Sequence, residues 1–380
     1  MRRAGQDGAG WRARADEGFA AVHPGLEELL VAELAELGVR ATQVEGGATF
    51  PATPQALATV LVWSRIAGRV LVRVGSGPAR SLEELARGVR SLPWPTLTRP
   101  RQPLDVDVAG GSRHLHRRDV IARKVEHAVA DALRVPGSWS GPPPRTPLGV
   151  LVRLDGDRAE VSVDAGGGLL HRRGWRPRTA KAPLRENLAA ALLRGAGWRP
   201  GEALVDPMCG SGTIPLEAAR QAAGFSPRTG WTYAAASWGK EHARALAAAE
   251  GRRPKAVPTA ILAADRDVGA IRATEGNARQ AGVADRVRVL HASLEDLEPP
   301  RGPGLVIANL PYGQRVGTAD ALAGRYGAWG HVLRERWDGW RLAFLAADPV
   351  ALQRLDRRAE VVLRFRHGGI RVVLGVVSPG

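Results

Sequence analysis

The run Asp206-Pro207-Met208-Cys209-Gly210-Ser211-Gly212-Thr213 lies directly after an apolar stretch, Ala203–Val205, and before a helix-forming stretch, Ile214–Gln221. Gly210 and Gly212 let the backbone turn sharply and remove Cβ atoms that would hold a ligand at a distance. The spacing is neither GxGxxG nor GxxxxGK(S/T), so a pyrophosphate or triphosphate ligand is not indicated. With an acid at the strand end, the loop suits a ligand carrying both an ammonium and a carboxylate, such as the methionine half of S-adenosylmethionine. Asp265 follows the next apolar run, Ala260–Ala263. From that position a carboxylate can accept both hydroxyls of a ribose. With Arg266 and Asp267 beside it, the alternative is an exposed loop acid.

A third element, Ala308-Asn309-Leu310-Pro311-Tyr312-Gly313, ends the run Gly304–Ala308. An exocyclic amine on a base is a weak nucleophile because its lone pair is delocalised into the ring. The Asn309 side-chain oxygen and the Leu310 carbonyl are expected to accept its N–H groups, aim the lone pair and stabilise the positive charge that develops on nitrogen. Pro311 holds the Leu310 carbonyl extended, and Tyr312 is placed to stack on an extruded base. The single cysteine, Cys209, excludes an internal disulfide and a Cys-based zinc site. A thiolate nucleophile would have to lie beside the base, whereas Cys209 sits in the ligand loop, so it reads as a small buried residue rather than as a nucleophile.

The elements that position these groups follow from periodicity. Beyond Pro183, strands at Ala203–Val205, Ala260–Ala263, Arg286–Leu290, Gly304–Ala308 and Leu342–Leu345 alternate with helical segments, which predicts a doubly wound α/β sheet. The distance from Asp206 to Asp265 is long for one β-α-β unit, so Phe225–Pro258 reads as an insertion, helical at Lys240–Glu250. Val361–Arg366 and Ile370–Val377 meet at Gly368–Gly369 and predict a closing antiparallel hairpin. The first half reads as α+β. Leu26, Leu29, Leu30, Leu34 and Leu37 share a helical face ending at Gly38. Short strands at Ala48–Phe50 and Arg69–Val74 flank a helix over Thr53–Ser64. A strand from Leu104 leads to a helix with Ile121, Val125, Ala128, Val129 and Ala132 inward and Arg123, Lys124 and His127 outward. Gly149–Leu154 and Ala159–Asp164 form a hairpin around Gly156. The segment Ala165–Pro183 divides the halves and carries His171, Arg172, Arg173, Trp175, Arg176, Arg178 and Lys181. It is either a solvated charged linker or a nucleic-acid contact.

The net charge is +16, and the only lysines are Lys124, Lys181, Lys240 and Lys255. Such an arginine excess favours a polyanion, although a genome that encodes Arg in place of Lys gives the same count. No apolar run is long enough to span a membrane. Met1–Gly18 is Arg-rich but contains Asp7, Asp16 and Glu17 without an apolar core, so it reads as a disordered tail of a cytoplasmic protein.

The pair Asp206–Thr213 and Asn309–Gly313 resembles the cofactor loop and the (D/N)-x-P-(Y/F) motif of class I amino-group methyltransferases. His171-Arg172-Arg173-Gly174-Trp175-Arg176, followed by Ala182–Ala189, narrows the resemblance to the THUMP-domain-containing RNA guanine-N2 methyltransferases, as does the opening Phe19–Val39. Strong matches cover Pro183–Gly313. The resemblance implies a ferredoxin-like domain over 19–75, a THUMP RNA-binding domain over 76–165, a linker over 166–183 and a Rossmann-like catalytic domain over 184–380. It further implies S-adenosylmethionine held by Asp206, Met208, Gly210, Gly212, Thr213, Asp265 and Asn187, with Ser293 where many relatives place the Asp that meets the adenine. Leu310 likewise stands where many relatives have Pro, with the backbone carbonyl retained. Catalysis is assigned to Asn309, Leu310, Pro311 and Tyr312, without metal. RNA contact is assigned to Arg113, Arg123, Lys124, Arg172, Arg173, Trp175, Arg176, Arg178 and Lys181. The family acts on tRNA acceptor stems or on large-subunit rRNA. The rRNA enzymes are often fused to a further methyltransferase domain, so a monomer acting on guanine 6 of tRNA is expected.

Overall fold

The computed structural model describes residues 10–99, 101–134, 146–177, 184–311, 319–347 and 349–379. Tyr312, Arg178 and Lys181 lie outside the described residues.

The first half is built from β1 (Arg12–Ala21), α1 (Glu27–Glu36), β2 (Thr42–Val44), β3 (Gly47–Pro51), α2 (Pro54–Trp63), β4 (Arg69–Pro78), α3 (Leu82–Arg90), α4 (Trp94–Leu97), β5 (Leu104–Ser112), α5 (Arg118–Ala132), β6 (Leu148–Gly156) and β7 (Arg158–Asp164). Its strands form one sheet in the order β2-β3-β1-β4-β7-β6-β5. β5 pairs with β6 in parallel and every other neighbour is antiparallel. The sheet does not break at 75–76, because β4 pairs with β1 on one side and β7 on the other. The local signals are ordinary ones. Thr53 caps α2 by accepting from the Ala56 N–H, with Pro54 in the first turn. Gly156 takes φ +57 in the β6–β7 turn.

Residues 12–18 correct the disordered-tail reading. They form the first part of β1, where Arg12 and Ala13 pair with Ser76 and Gly75, and Glu17 pairs with Arg73 and Pro51. Exposed charged residues dominate this segment, so its composition resembles a tail. The ordering comes from long-range pairing, reinforced by the Arg73–Glu17 ion pair and by Trp11 donating to the Pro78 carbonyl.

The second half comprises α6 (Glu186–Gly195), β8 (Ala203–Asp206), α7 (Thr213–Ala222), α8 (Lys240–Gly251), β9 (Ile261–Asp265), α9 (Val268–Gln280), β10 (Arg288–His291), β11 (Gly304–Asn309), α10 (Ala319–Arg336), β12 (Arg341–Ala346), α11 (Pro349–Leu355), β13 (Glu360–His367) and β14 (Ile370–Val377). The order is β10-β9-β8-β11-β12-β14-β13, parallel from β10 to β12 and closed by the antiparallel β13–β14 hairpin. Both faces are covered. Leu204, Leu305 and Ile307 enter one core, while Val205, Val306 and Ala308 enter the other, which is why these strands read as continuous apolar runs.

The expected insertion is real and has a structural task. Its helix α8 packs on α2, and Trp63 Nε1 donates to the Ala249 carbonyl at 2.8 Å. The inserted segment therefore fastens the C-terminal half to the N-terminal half. No helix among the described residues is long and apolar enough to cross a membrane.

Candidate active site

Strand order reverses at β8, with β9 and β10 on one side and β11 and β12 on the other. In open α/β sheets ligands bind at such a switch point, beyond the carboxyl ends of the strands. Val205 pairs with Val306, so Asp206 and Asn309 leave adjacent strands at the same sheet edge, and Asp265 leaves β9 beside them.

Asp206 is 1% exposed and accepts the Met208 N–H at 3.1 Å. No cation is ion-paired with it among the described residues. Burial pushes its carboxyl well above the usual range, and Asp265 adds to the rise. A buried acid without a counter-charge favours a cationic ligand, as the ammonium of a methionine moiety would be. Asp265 accepts the Gly210 N–H through one carboxylate oxygen and the Asp267 N–H through the other, both at 2.9 Å. It thus fixes the loop, and because each oxygen accepts more than one hydrogen bond, these contacts leave capacity for a ribose.

The two glycines have different tasks. Gly210 adopts φ +55 and faces open space. Gly212 adopts φ +83, and a Cβ there would lie 2.9 Å from the Thr274 methyl. Its missing side chain thus makes room for α9, not for a ligand. Thr274 and Asn277 on α9 are fully buried and donate to the carbonyls of Gly210 and Ser211 at 2.9 and 3.0 Å. Sequence reasoning misses this pair, although two polar residues three apart on an inward helical face are its signal. The Cys209 thiol is buried 3.6 Å from the Thr274 hydroxyl, and burial pushes its pKa up, against a nucleophilic role.

At the end of β11 the Asn309 side-chain oxygen is buried with no hydrogen-bond partner among the described residues. The Leu310 N–H donates to the Leu345 carbonyl at 3.0 Å, and Leu310 is 1% exposed. The Tyr326 hydroxyl donates to the Pro311 carbonyl at 2.6 Å, a support from α10 that the sequence does not reveal.

Several assignments change. Arg173 is buried, donates to the carbonyls of Leu170 and Arg65, and lies 3.8 Å from Glu217. Trp175 is buried and donates to the Pro227 carbonyl at 3.2 Å. Arg176 donates to Glu186, Ser211 Oγ, Thr213 Oγ1 and the Leu184 carbonyl at 2.8–3.2 Å. Burial and internal bonding remove all three from the RNA-contact set, and Arg176 becomes a brace for the 206–213 loop. His171 is not a cation at neutral pH either, because burial and nearby Arg185 push it down to about 4. Asn187 donates to the Ile66 carbonyl at 3.2 Å, which assigns it to the junction with the N-terminal half. The Ser293 hydroxyl donates to Asp296 at 2.6 Å within a capping box, so it is engaged locally instead of facing an adenine. Arg113 and Arg172 are exposed. Arg123 and Lys124 lie on the outer face of α5, paired with Asp119 and Glu83 at 3.0 and 2.5 Å.

Residues 173–373 match the RMKL-like methyltransferase domain. The chain belongs to that family. Residues 17–71 match the RlmL ferredoxin-like domain. The chain is 34% identical over 374 residues to the ribosomal RNA large subunit methyltransferase K/L of Syntrophotalea carbinolica, covering 93% of this chain and 52% of the relative. It therefore spans about half the length of that relative. SMU.472, solved with SAH, superposes with TM-score 0.86 at 27% identity, over 96% of this chain and 98% of the other. A structure from Listeria monocytogenes, termed a predicted N6-adenine-specific DNA methylase, gives TM-score 0.81 at 25% identity over 95% of this chain and 96% of the other. The fold is that of a class I methyltransferase with an N-terminal ferredoxin-like domain, and the cofactor is S-adenosylmethionine.

Proposed function

We propose that this protein methylates N2 of guanine in structured RNA, with large-subunit rRNA as its substrate. The observation that carries the reaction type is the buried, unpartnered Asn309 oxygen at the switch point. A buried acceptor left empty is costly, and an exocyclic amine supplies the missing donor. S-adenosylmethionine, when bound, supplies the electrophilic methyl group. Asp206 would hold its ammonium and Asp265 its ribose, on a loop that Arg176, Thr274 and Asn277 keep in place. Asn309 accepts from the amine and offsets the charge that grows on nitrogen as the methyl arrives. The Leu310 carbonyl is the second acceptor and Tyr312 the stacking platform. A guanine in a stem must be unpaired and flipped to reach Asn309, at about a few kcal/mol. Contacts from the N-terminal sheet, a ferredoxin-like unit followed by a THUMP unit, offset that cost.

The resemblance alone favours the tRNA acceptor stem. The named function of the Syntrophotalea carbinolica relative tips the choice to rRNA. The test incubates the purified protein with protein-free large-subunit rRNA, with bulk tRNA and with DNA, followed by nucleoside mass spectrometry. N2-methylguanosine in rRNA is expected. Asn309→Ala should slow it by about 10²-fold while cofactor binding persists. Methylation confined to tRNA would restore the acceptor-stem reading, N6-methyladenine would overturn guanine as the target, and a wild-type rate in Asn309→Ala would overturn the mechanism.

A further inference from the structure

Away from the cofactor loop, a cleft of about 700 Å³ opens between the two halves of the molecule. α7 starts at the cofactor edge of the sheet and ends at the opposite edge. Residues following its C-terminus line this cleft together with Trp63 of α2 and the end of α9. Its wall combines Arg220, Arg228 and Arg253 with Trp63, Trp231 and Tyr233.

Arg228 is the unusual member. It is 4% exposed, and neither terminal guanidinium nitrogen has a hydrogen-bond partner among the described residues. It has no ion pair there either. Its guanidinium carbon lies 4.6 Å from the Trp231 ring centroid and 5.3 Å from that of Tyr233. Such stacking offsets only part of the cost of burying a charge. The burial penalty lowers the Arg228 pKa to about 10, leaving it fully charged at neutral pH. The surroundings supply little relief, since Asp164 acts on Arg228 only from a distance and is paired with Arg69. Arg65 and Arg173 share Glu217, at 2.8 and 3.8 Å. Arg220 donates to the carbonyls of Ala281 and Ser226 and to the Thr229 hydroxyl, not to an acid. Glu250 lines the cleft, but its side chain is not ion-paired with Arg228. The junction is thus short of paired negative charge beside an open cleft.

We propose that this cleft is a second ligand site, separate from the cofactor site, that takes a nucleotide phosphate: Arg228, whose terminal nitrogens have no partner among the described residues, receives the anion, and the aromatic wall receives the attached ring. A guanidinium fork matches phosphate oxygens geometrically, and aromatic faces accept any base. The chemistry is shared by a strand of RNA and by a free nucleotide.

Calorimetric titration of the full chain with AMP, with a short single-stranded RNA, and with sodium acetate as a plain anion tests this. A second set of titrations uses S-adenosylhomocysteine as a control for the cofactor site. AMP or RNA should bind, and Arg228→Gln should weaken that binding at least tenfold while S-adenosylhomocysteine affinity changes less than twofold. Because Arg228→Gln alters a buried site, Thr232→Glu, an exposed cleft position, supplies the independent variant and should give the same loss. Binding of RNA but not AMP makes the source a strand, and binding of both makes it a nucleotide. The site falls if neither probe binds, if acetate binds as tightly as AMP, or if both variants bind like wild type.

Discussion

The stretch 117–124, which opens helix α5, and the linker segment 171–176 are both rich in basic residues, and the two meet opposite fates. In the first, Arg117, Arg118 and Arg123 project into solvent, with Asp119 the partner of Arg117 and Arg123. In the linker, Arg173 is 1% exposed and Arg176 is enclosed by Glu186, Ser211, Thr213 and Leu184. The first set can meet a polyanion as it stands, whereas the second is already bonded. An arginine becomes a scaffold part where the fold surrounds its fork with carbonyls and a carboxylate, and stays a recognition element where it does not. Sequence density of charge does not separate these cases.

The largest effect that tests this contrast is on stability. Arg173→Ala strips the carbonyls of Leu170 and Arg65 of a donor and leaves Glu217 with Arg65 alone. It should destabilise the protein on the order of 3 kcal/mol in chemical denaturation. A midpoint unchanged from wild type would mean that this arginine is not a structural part. Next in size is Arg176→Ala, which frees Ser211 and Thr213 and leaves Glu186 unpaired in a buried setting. Cofactor affinity should drop about tenfold, and Arg176→Lys should recover little, since one ammonium cannot reproduce the bonds of a planar fork. Equal cofactor affinity in all three proteins would show that Arg176 does not brace the loop for the cofactor.

A smaller effect concerns pH. His171 is held near 4 in the folded protein, against about 6.5 unfolded. The unfolded chain binds the extra proton between those values, so stability should fall as pH drops from about 6.5 to about 4. His171→Gln should flatten that part of the profile, and an unchanged slope would show the imidazole is not the group responsible. The mildest change is on α5. Arg123→Gln with Lys124→Gln should leave the denaturation midpoint in place, since exposed pairs contribute little. RNA affinity should weaken, and the log–log salt slope should shrink by about one for each phosphate no longer neutralised. An unaltered salt slope would place the RNA on another face.

Much of the catalytic half was legible. β8, β9, β11 and β12 announce themselves because both faces of a parallel sheet are buried, and the loop at 206–213 and the motif at 309–312 fall where strands end. The N-terminal half was less so. β1 hides its strand character behind Arg12, Arg14, Asp16 and Glu17, since an antiparallel strand with a solvated side needs apolar residues on only part of its length. α3 escaped because its buried stripe is short, Leu85, Ala86 and Val89 among charges. In the candidate site, the strand-end positions of Asp206, Asp265 and Asn309 were legible. Thr274, Asn277, Arg176 and Tyr326 were not, because their roles depend on which distant carbonyls and hydroxyls they meet.

By itself the sequence determined the doubly wound sheet, the glycine loop and the strand-end positions of Asp206, Asp265 and Asn309. Each of these is local, written in a periodicity or in a few adjacent residues. Only the tertiary structure decided which arginines are buried, that Gly212 makes room for Thr274, that α8 fastens to α2, and that Arg228 faces a cleft without a counter-charge. Burial and partner identity depend on segments far apart in the chain. A side chain's charge is fixed by its type, but whether that charge is satisfied is fixed by what folds against it.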